Sequence, residues 1–231
     1  MRTSVVPPTF RARARGAAEP VAKMFGRLGL TPNALTLLGF GIACVGALLV
    51  ATEQWLIGGL VIAFGAIFDM FDGALARATN RTSRLGAFLD STFDRAGEAV
   101  VYLGVAFAYL RHDAAFPALL AAAALAASFM VSYVRAKSES LGFTPGTGMA
   151  NIGLAPREVR MVILVLGVLA AGVLGGFQTI YCIVGPCPPL LTTGGQVLSV
   201  ALGLITLLAT ITTIQRIYHV YRQSKTQEVN D

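Results

Sequence analysis

The sequence predicts an all-α polytopic membrane protein with six transmembrane helices, preceded by an N-terminal amphipathic helix at the membrane interface. Hydrophobic residues make up 55% of the 231-residue chain, and the mean hydropathy is +0.68, which is typical of membrane proteins. Apolar runs recur at the length that a helix needs to cross a bilayer. Backbone polar groups cannot stay unpaired in lipid, so we expect each run to be helical. The predicted spans are 34–52, 55–78, 87–110, 115–136, 159–177 and 194–218.

The N-terminal residues 1–30 mix basic and apolar side chains, and they lack an apolar core that ends at a small-residue cleavage site. Apolar residues at helical spacing over 17–29 predict an amphipathic helix on an anionic membrane face. A disordered basic tail is the alternative, and it suits residues 1–9 better. The predicted organisation is a cytoplasmic juxtamembrane segment 1–30, a six-helix domain 31–222 and a cytoplasmic tail 223–231.

Lysine and arginine are distributed unequally between the two predicted membrane faces. With the N-terminus in the cytoplasm, six spans return the C-terminus there, and the outer face keeps Arg111 as its basic residue. The net charge of +6 therefore belongs to the cytoplasmic face and needs no nucleic-acid partner. We expect a multi-pass plasma-membrane protein with the site described next facing the cytoplasm. Cys182 and Cys187 fall in a predicted outer loop, where a disulfide and two free thiols both remain open.

Four aspartates interrupt the second and third predicted helices. Asp69 and Asp72 are spaced i, i+3 on one helix, and Asp90 and Asp94 are spaced i, i+4 on the next. The link "TNRTSR" between these helices is short, which predicts an antiparallel hairpin. The middle of that link is near residues 81–82, and Asp72 and Asp90 each lie about nine residues from it, whereas Asp69 and Asp94 each lie about twelve or thirteen. The four carboxylates are therefore expected to face one another at similar depth.

Four like charges at that depth would each cost several kcal/mol, on the order of 2 to 4, unless a cation neutralises them. Oxygen ligands favour Mg²⁺, Mn²⁺ or Ca²⁺, and four carboxylates can hold two ions that clamp a phosphoryl group. Gly73 and Ala76 leave space beside the acids, and Arg77 can pair with a diphosphate oxygen. The alternatives are surface or capping acids, a proton relay in a transporter, and acids paired with an arginine such as Arg95.

The pattern Asp69-x2-Asp72-Gly73-x2-Ala76-Arg77-x8-Gly86-x3-Asp90-x3-Asp94 resembles the signature of the CDP-alcohol phosphotransferase family. The resemblance implies a six-helix membrane enzyme, usually a homodimer, that uses two Mg²⁺ or Mn²⁺ ions. Such an enzyme transfers a phosphatidyl-type group from a CDP-linked lipid such as CDP-diacylglycerol to an alcohol and releases CMP.

The resemblance also implies roles for single positions. Asp69, Asp72 and Asp90 would ligate metal, and Asp94 would ligate metal and act as general base on the acceptor hydroxyl. The segment "GLTPNALT" resembles the start of the family's first span, although Pro32 near the first turn also indicates an ordinary helix start. The implied CDP-lipid contacts are Asn33, Ala34, Leu35, Thr36, Gly73, Ala76, Arg77 and Ser83.

Cations at three predicted helix ends point to an acceptor that already carries a phosphate. Anchoring at the cytoplasmic face is the alternative explanation for them. The segments "SYVRAKSES", Arg157-x2-Arg160 and "TIQR" are similar to those of the phosphatidylinositol-phosphate synthase branch, with a displaced proline in "PREVR". Inositol 1-phosphate is the acceptor this implies, and glycerol 3-phosphate, giving phosphatidylglycerol phosphate, is the alternative. The candidate acceptor-phosphate residues are Arg135, Lys137, Arg157, Arg160 and Arg216.

Two other classes fit the sequence less well. In intramembrane prenyltransferases the two acid-rich motifs lie far apart along the chain, whereas here both aspartate pairs lie between Asp69 and Asp94. A transporter with an acidic cation site needs a path to both faces, yet the predicted outer side offers only Arg111, Asp113 and Glu53 as charged groups.

Overall fold

The computed structural model describes residues 24, 26–27, 29–78, 82–143, 152–176 and 192–228, without the side chains of 70, 72, 73, 77, 78 and 226–228. Within these ranges the chain is helical with no strand, which confirms the all-α prediction. Each predicted span corresponds to one observed helix. The helices are α1 Pro32–Ala51, α2 Trp55–Ala78, α3 Arg84–Leu110, α4 Ala115–Ser140, α5 Arg157–Val173 and α6 Thr193–Glu228.

Side-chain caps define the starts of two helices that lead into the site. The Thr31 hydroxyl accepts a hydrogen bond from the Ala34 amide at 3.2 Å, and Pro32 follows at the position where its missing N–H costs nothing. At the start of α3, the Ser83 hydroxyl accepts from the Gly86 amide at 2.9 Å. Both caps satisfy amides that the helix itself leaves unpaired.

Three helices end four or more residues away from the predicted end. The fourth continues to Ser140, beyond the predicted residue 136. The fifth helix ends at Val173, because Gly175 and Gly176 follow with φ of 92° and 60°. The sixth continues to Glu228, so the predicted domain end at residue 222 falls inside α6. At about 1.5 Å per residue this helix is longer than the hydrocarbon core of a bilayer, so its polar C-terminal part extends beyond it.

Four of the helices in the described ranges are long and apolar enough to cross a membrane: Pro32–Ala51, Trp55–Ala76, Ala115–Ser140 and Thr193–Lys225. Large apolar side chains on them point outward, with Leu48 65%, Leu119 67% and Val200 72% exposed. Exposed apolar faces on this scale fit a lipid environment rather than water. The protein is therefore a multi-pass membrane protein. The helix α3 is more polar, and α5 has 17 residues.

Two clusters of buried apolar side chains hold the described helices together. The first helix packs on α2 and α3, α4 packs on α3 and α6, and α5 packs on α2 and α6. Tyr102 and Tyr109 of α3 are fully buried, and the Tyr109 hydroxyl donates to the Gly195 carbonyl of α6 at 2.7 Å. This packing brings the C-terminal half of α2, the N-terminal half of α3 and the start of α5 to one end of the bundle.

Two predictions fall largely outside the described residues. Of the predicted interfacial helix at 17–29, Met24, Gly26 and Arg27 are described as helical, and Met24 is 52% exposed. The loop that contains Cys182 and Cys187 is also outside. At the end of the bundle opposite the aspartates, Glu53 pairs with Arg111 at 3.6 Å and with His112 at 3.1 Å.

Candidate active site

Arg157, the first residue of α5, joins aspartates from two other helices. Its guanidinium donates a hydrogen bond to Asp69 of α2 at 3.0 Å and forms an ion pair with Asp94 of α3 at 2.7 Å. The three side chains are partly buried, with exposures of 25%, 23% and 19%. Charge-assisted bonds of this length are among the stronger polar contacts in proteins. The predicted meeting of the second and third helices at their carboxylates is thus seen for Asp69 and Asp94.

The backbone of α1 leaves room for the Asp69 carboxylate. A Cβ built on Gly39 would collide with Asp69 Oδ1, so a side chain at this position would force the carboxylate to move. Beside it lies a cavity of about 20 Å³, room for about one water molecule. Thr36, Asp69, Asp94, Glu98 and Arg157 are among the residues that line it.

These residues fit a divalent cation. Asp69 and Asp94 supply oxygen ligands of the kind that Mg²⁺ and Mn²⁺ prefer, and both already reach one cationic group, the Arg157 guanidinium. Asp90 lies one turn before Asp94 and is partly buried. Within the described side chains no group of three or more His, Cys, Asp or Glu forms a ready metal site. The Asp72 side chain is not among them, and metal ligation by all four aspartates stays a prediction.

The predicted CDP-lipid contacts divide among several places. Asn33 and Ser83 lie together, because a Cβ built on Gly86 would be 3.0 Å from Ser83 Oγ and 3.3 Å from Asn33 Oδ1. Thr36 lines the cavity beside Asp69, whereas Leu35 is 1% exposed and lies in the apolar core. Ala34 lines an open apolar groove of about 760 Å³ between α1 and α2. Ala76 is partly buried on α2, which also carries Gly73 and Arg77, two residues whose side chains are not described.

The residues predicted to bind the acceptor phosphate make different contacts in the structure. Arg135 forms an exposed pair with Glu139 at 2.9 Å, and Lys137 is exposed. The Arg216 guanidinium, 3% exposed, donates to the carbonyls of Ile152 at 3.0 Å and Val131 at 2.6 Å. Arg157 is the predicted acceptor cation that the structure brings to the aspartates.

Arg160, which the sequence pattern groups with Arg157, is 1% exposed. It is paired with Glu98 of α3 through both carboxylate oxygens, at 3.0 and 2.9 Å. Glu98 was not singled out in the sequence. Its position four residues after Asp94 extends the acidic stripe of Asp90 and Asp94 by one turn, a signal that could have identified it. Arg95 contacts Asp94 at 3.4 Å. This is the contact expected from the alternative in which the acids pair with an arginine such as Arg95.

The fold and the site together define a polytopic membrane protein with a carboxylate and arginine centre held between its helices. The chain belongs to the CDP-alcohol phosphatidyltransferase family, whose profile matches residues 29–214. It is therefore a membrane transferase, and the family assignment predicted from the spacing of the aspartates is confirmed.

Characterised relatives and solved structures are similar over most of the chain. An archaetidylinositol phosphate synthase of Pyrococcus horikoshii is 37% identical over 69% of this chain and 80% of the relative. A phosphatidylinositol phosphate synthase of Mycobacterium tuberculosis is 33% identical over 94% of this chain and 92% of the relative. The crystal structure of such a synthase from that organism with CDP-DAG bound gives a TM-score of 0.73 at 29% identity, covering 88% of this chain and 93% of the other. The form in complex with manganese and citrate gives 0.72 at 29% identity, covering 88% of each chain.

Proposed function

We propose that this protein transfers a phosphatidyl group from CDP-diacylglycerol to inositol 1-phosphate, giving phosphatidylinositol phosphate and CMP. The observation that carries the proposal is the meeting of Asp69, Asp94 and Arg157 from three helices beside one cavity. The names of the relatives support the inositol phosphate product, because synthases of this product are similar to the chain over nearly its whole length.

The metal site is built on Asp69, Asp72, Asp90 and Asp94, which would hold two Mg²⁺ or Mn²⁺ ions. When bound, the ions supply positive charge against the diphosphate of the donor. The manganese in a structure of similar fold supports this choice of metal. The chain's own contribution is to set the carboxylates at a fixed spacing on α2 and α3 and to leave space beside them at Gly39.

Asp94 acts as the general base. The acceptor hydroxyl oxygen forms a bond to the lipid-side phosphorus, the bond from that phosphorus to the CMP oxygen breaks, and the hydroxyl proton passes to an Asp94 carboxylate oxygen. Asp94 lines the cavity and its side chain is 19% exposed, so an acceptor hydroxyl can approach its carboxylate. A base must lie within hydrogen-bond reach of the proton that it takes.

The donor lies along α1. Asn33 and Ser83, with Gly73, Ala76 and Arg77 of α2, contact the CDP part at the cytoplasmic ends of their helices. The open groove that begins at Ala34 is lined by apolar side chains, including Leu38, Val45 and Phe64. It extends from the proposed CDP contacts into the apolar face of the bundle, which suits an acyl tail of the same donor.

The acceptor phosphate lies among the cations Arg157, Arg135 and Lys137, next to the base. Arg157 is the central one, since it reaches the same carboxylates that the metal ions would use. Arg135 is exposed and its contact is a surface pair with Glu139, which a phosphate can replace at little cost.

The membrane arrangement follows the charge pattern. All six helices cross the membrane, the aspartates and both termini face the cytoplasm, and residues 17–29 lie on that face. The homodimer is what the family resemblance implies. The polar end of α3 and the short α5 are accommodated because their charged residues pair inside the bundle rather than facing lipid.

A panel of acceptors tests the proposal. Purified enzyme in detergent with CDP-diacylglycerol and Mn²⁺ is given inositol 1-phosphate, glycerol 3-phosphate, free inositol or serine, and CMP release is measured. We expect release with inositol 1-phosphate. Release with glycerol 3-phosphate alone would identify a phosphatidylglycerol-phosphate synthase, and release with free inositol or serine alone would exclude a phosphorylated acceptor.

A further inference from the structure

The helices α3 and α5 are joined by two ion pairs one helical turn apart. Asp94 with Arg157 forms the pair at the active site, and Glu98 with Arg160 forms the second, deeper in the bundle. Glu98 follows Asp94 by four residues and Arg160 follows Arg157 by three, so each helix presents both of its members on one face. The two pairs therefore lie next to each other along both helices.

The inner pair is built as a rigid contact. Glu98 and Arg160 have side-chain exposures of 3% and 1%, and they meet through two parallel bonds of 3.0 and 2.9 Å. The fork geometry of a guanidinium on a carboxylate fixes distance and orientation together. Hydrophobic residues of equal volume often stabilise a fold as well as such a buried pair does. Stability alone is therefore a weak explanation for the presence of these charges.

The same arginine also holds the turn that delivers Arg157. The third bond of Arg160 goes from Nη1 to the Ala155 carbonyl at 3.0 Å, two residues before Arg157. On its other side, the Ala155 amide donates to the Thr212 hydroxyl of α6 at 3.0 Å. Gly153 in this segment has a φ of +118°, and a Cβ there would collide with the Thr212 methyl group. The start of α5 is thus fixed by contacts that converge on Ala155.

We propose that Glu98 and Arg160 are a positioning pair, which holds the start of α5 so that the Arg157 guanidinium stands between Asp69 and Asp94. Neither residue contacts substrate in this role; both act through Arg157. The inference rests on the proposed function, in which Arg157 binds the acceptor phosphate. The Mn²⁺ affinity that tests it can be measured without turnover.

A mutant cycle with Arg157 tests the pair. In detergent-solubilised protein, Mn²⁺ affinity is measured by electron paramagnetic resonance for wild type, Glu98→Gln, Arg157→Gln and the double variant. Because Glu98→Gln frees Arg157 from its place between the carboxylates, we expect it to tighten Mn²⁺ binding several-fold. We expect no further change in the Arg157→Gln background, because residues that act through one another are not additive. An equal change in both backgrounds, or none in the first, overturns the proposal.

The kinetic arm separates positioning from folding. Glu98→Gln should raise the KM for inositol 1-phosphate by about tenfold, within the losses expected from a small displacement, and leave the donor KM nearly unchanged. Tyr109→Phe is the control, since it also removes side-chain hydrogen bonds of α3, here to α6 and far from the site. It should lower thermal stability without moving either KM. A Glu98 variant that behaves like this control contradicts the positioning role.

A second variant covers the chance that Glu98→Gln fails to fold. Glu98→Leu combined with Arg160→Met replaces the pair by apolar side chains, which usually restores folding, while the bond to Ala155 stays lost. It should show the same change in Mn²⁺ affinity, and wild-type affinity in a stable double variant overturns the proposal. Wild type that binds Mn²⁺ but releases no CMP with any acceptor would overturn the proposed function alone, since the Mn²⁺ cycle would still decide the role of the pair.

Discussion

Replacing Arg157 by glutamine should make the protein bind Mn²⁺ more tightly while making it a poorer enzyme. The guanidinium contacts the oxygens of Asp69 and Asp94 at 3.0 and 2.7 Å, so a metal ion on these carboxylates competes with it or lies close beside it. Two charges about 4 Å apart interact by roughly 4 kcal/mol at an effective dielectric constant of about 20.

Solvent lowers this figure, because the three side chains are between 19% and 25% exposed. If about a third of the repulsion between Arg157 and the metal ion remains, removing the arginine favours Mn²⁺ binding by roughly 1.4 kcal/mol. This corresponds to an approximately tenfold lower Kd for Mn²⁺. The KM for inositol 1-phosphate should rise at least tenfold, because the same arginine is the proposed acceptor ligand. Metal affinity and acceptor affinity are thus expected to move in opposite directions.

The assay is a Mn²⁺ titration of detergent-solubilised protein followed by electron paramagnetic resonance, paired with CMP-release kinetics. Asp69→Asn identifies the site, since it should weaken Mn²⁺ binding. Arg84→Gln is the matched control for loss of one positive charge, because Arg84 is an exposed residue at the start of α3. An Arg157 variant that binds Mn²⁺ no more tightly than the Arg84 variant would refute the competition between the arginine and the metal.

Three further changes probe separate features. Asp94→Asn should abolish CMP release while CDP-diacylglycerol binding is largely kept, and near-normal turnover would remove Asp94 from the role of base. Gly39→Ala should weaken Mn²⁺ binding and lower turnover at least tenfold, because its Cβ displaces the Asp69 carboxylate. Gly203→Ala is the control, because a Cβ at that position has no atom within 4 Å, and this variant should behave as wild type. Equal losses of Mn²⁺ binding and turnover in both variants would contradict the role of the space at Gly39. Ser83→Ala should lower the thermal midpoint by about 2 to 4 °C through the lost cap, with Ser91→Ala as a control on the same helix.

Much of the architecture could be predicted from the sequence because bilayer crossing imposes a strong pattern. Apolar runs of sufficient length predicted the positions of the six helices, but they did not predict where every helix ends. Gly175 and Gly176 end α5 early, and α6 continues past Arg222 although its sequence turns polar. The helical spacing of the acids predicted that Asp69 and Asp94 would meet, and the structure brings both of them to Arg157.

The partners of the arginines could not be predicted in the same way. Arg157, Arg160 and Arg216 look alike in sequence, as cations near the predicted cytoplasmic ends of helices. The tertiary structure gives them three environments: two aspartates for Arg157, a buried glutamate for Arg160, and backbone carbonyls for Arg216. The spacing of charges along one helix is a local property, and it determined the family and the reaction. The partner of each charge depends on how α3, α5 and α6 pack, and only the tertiary structure decides that.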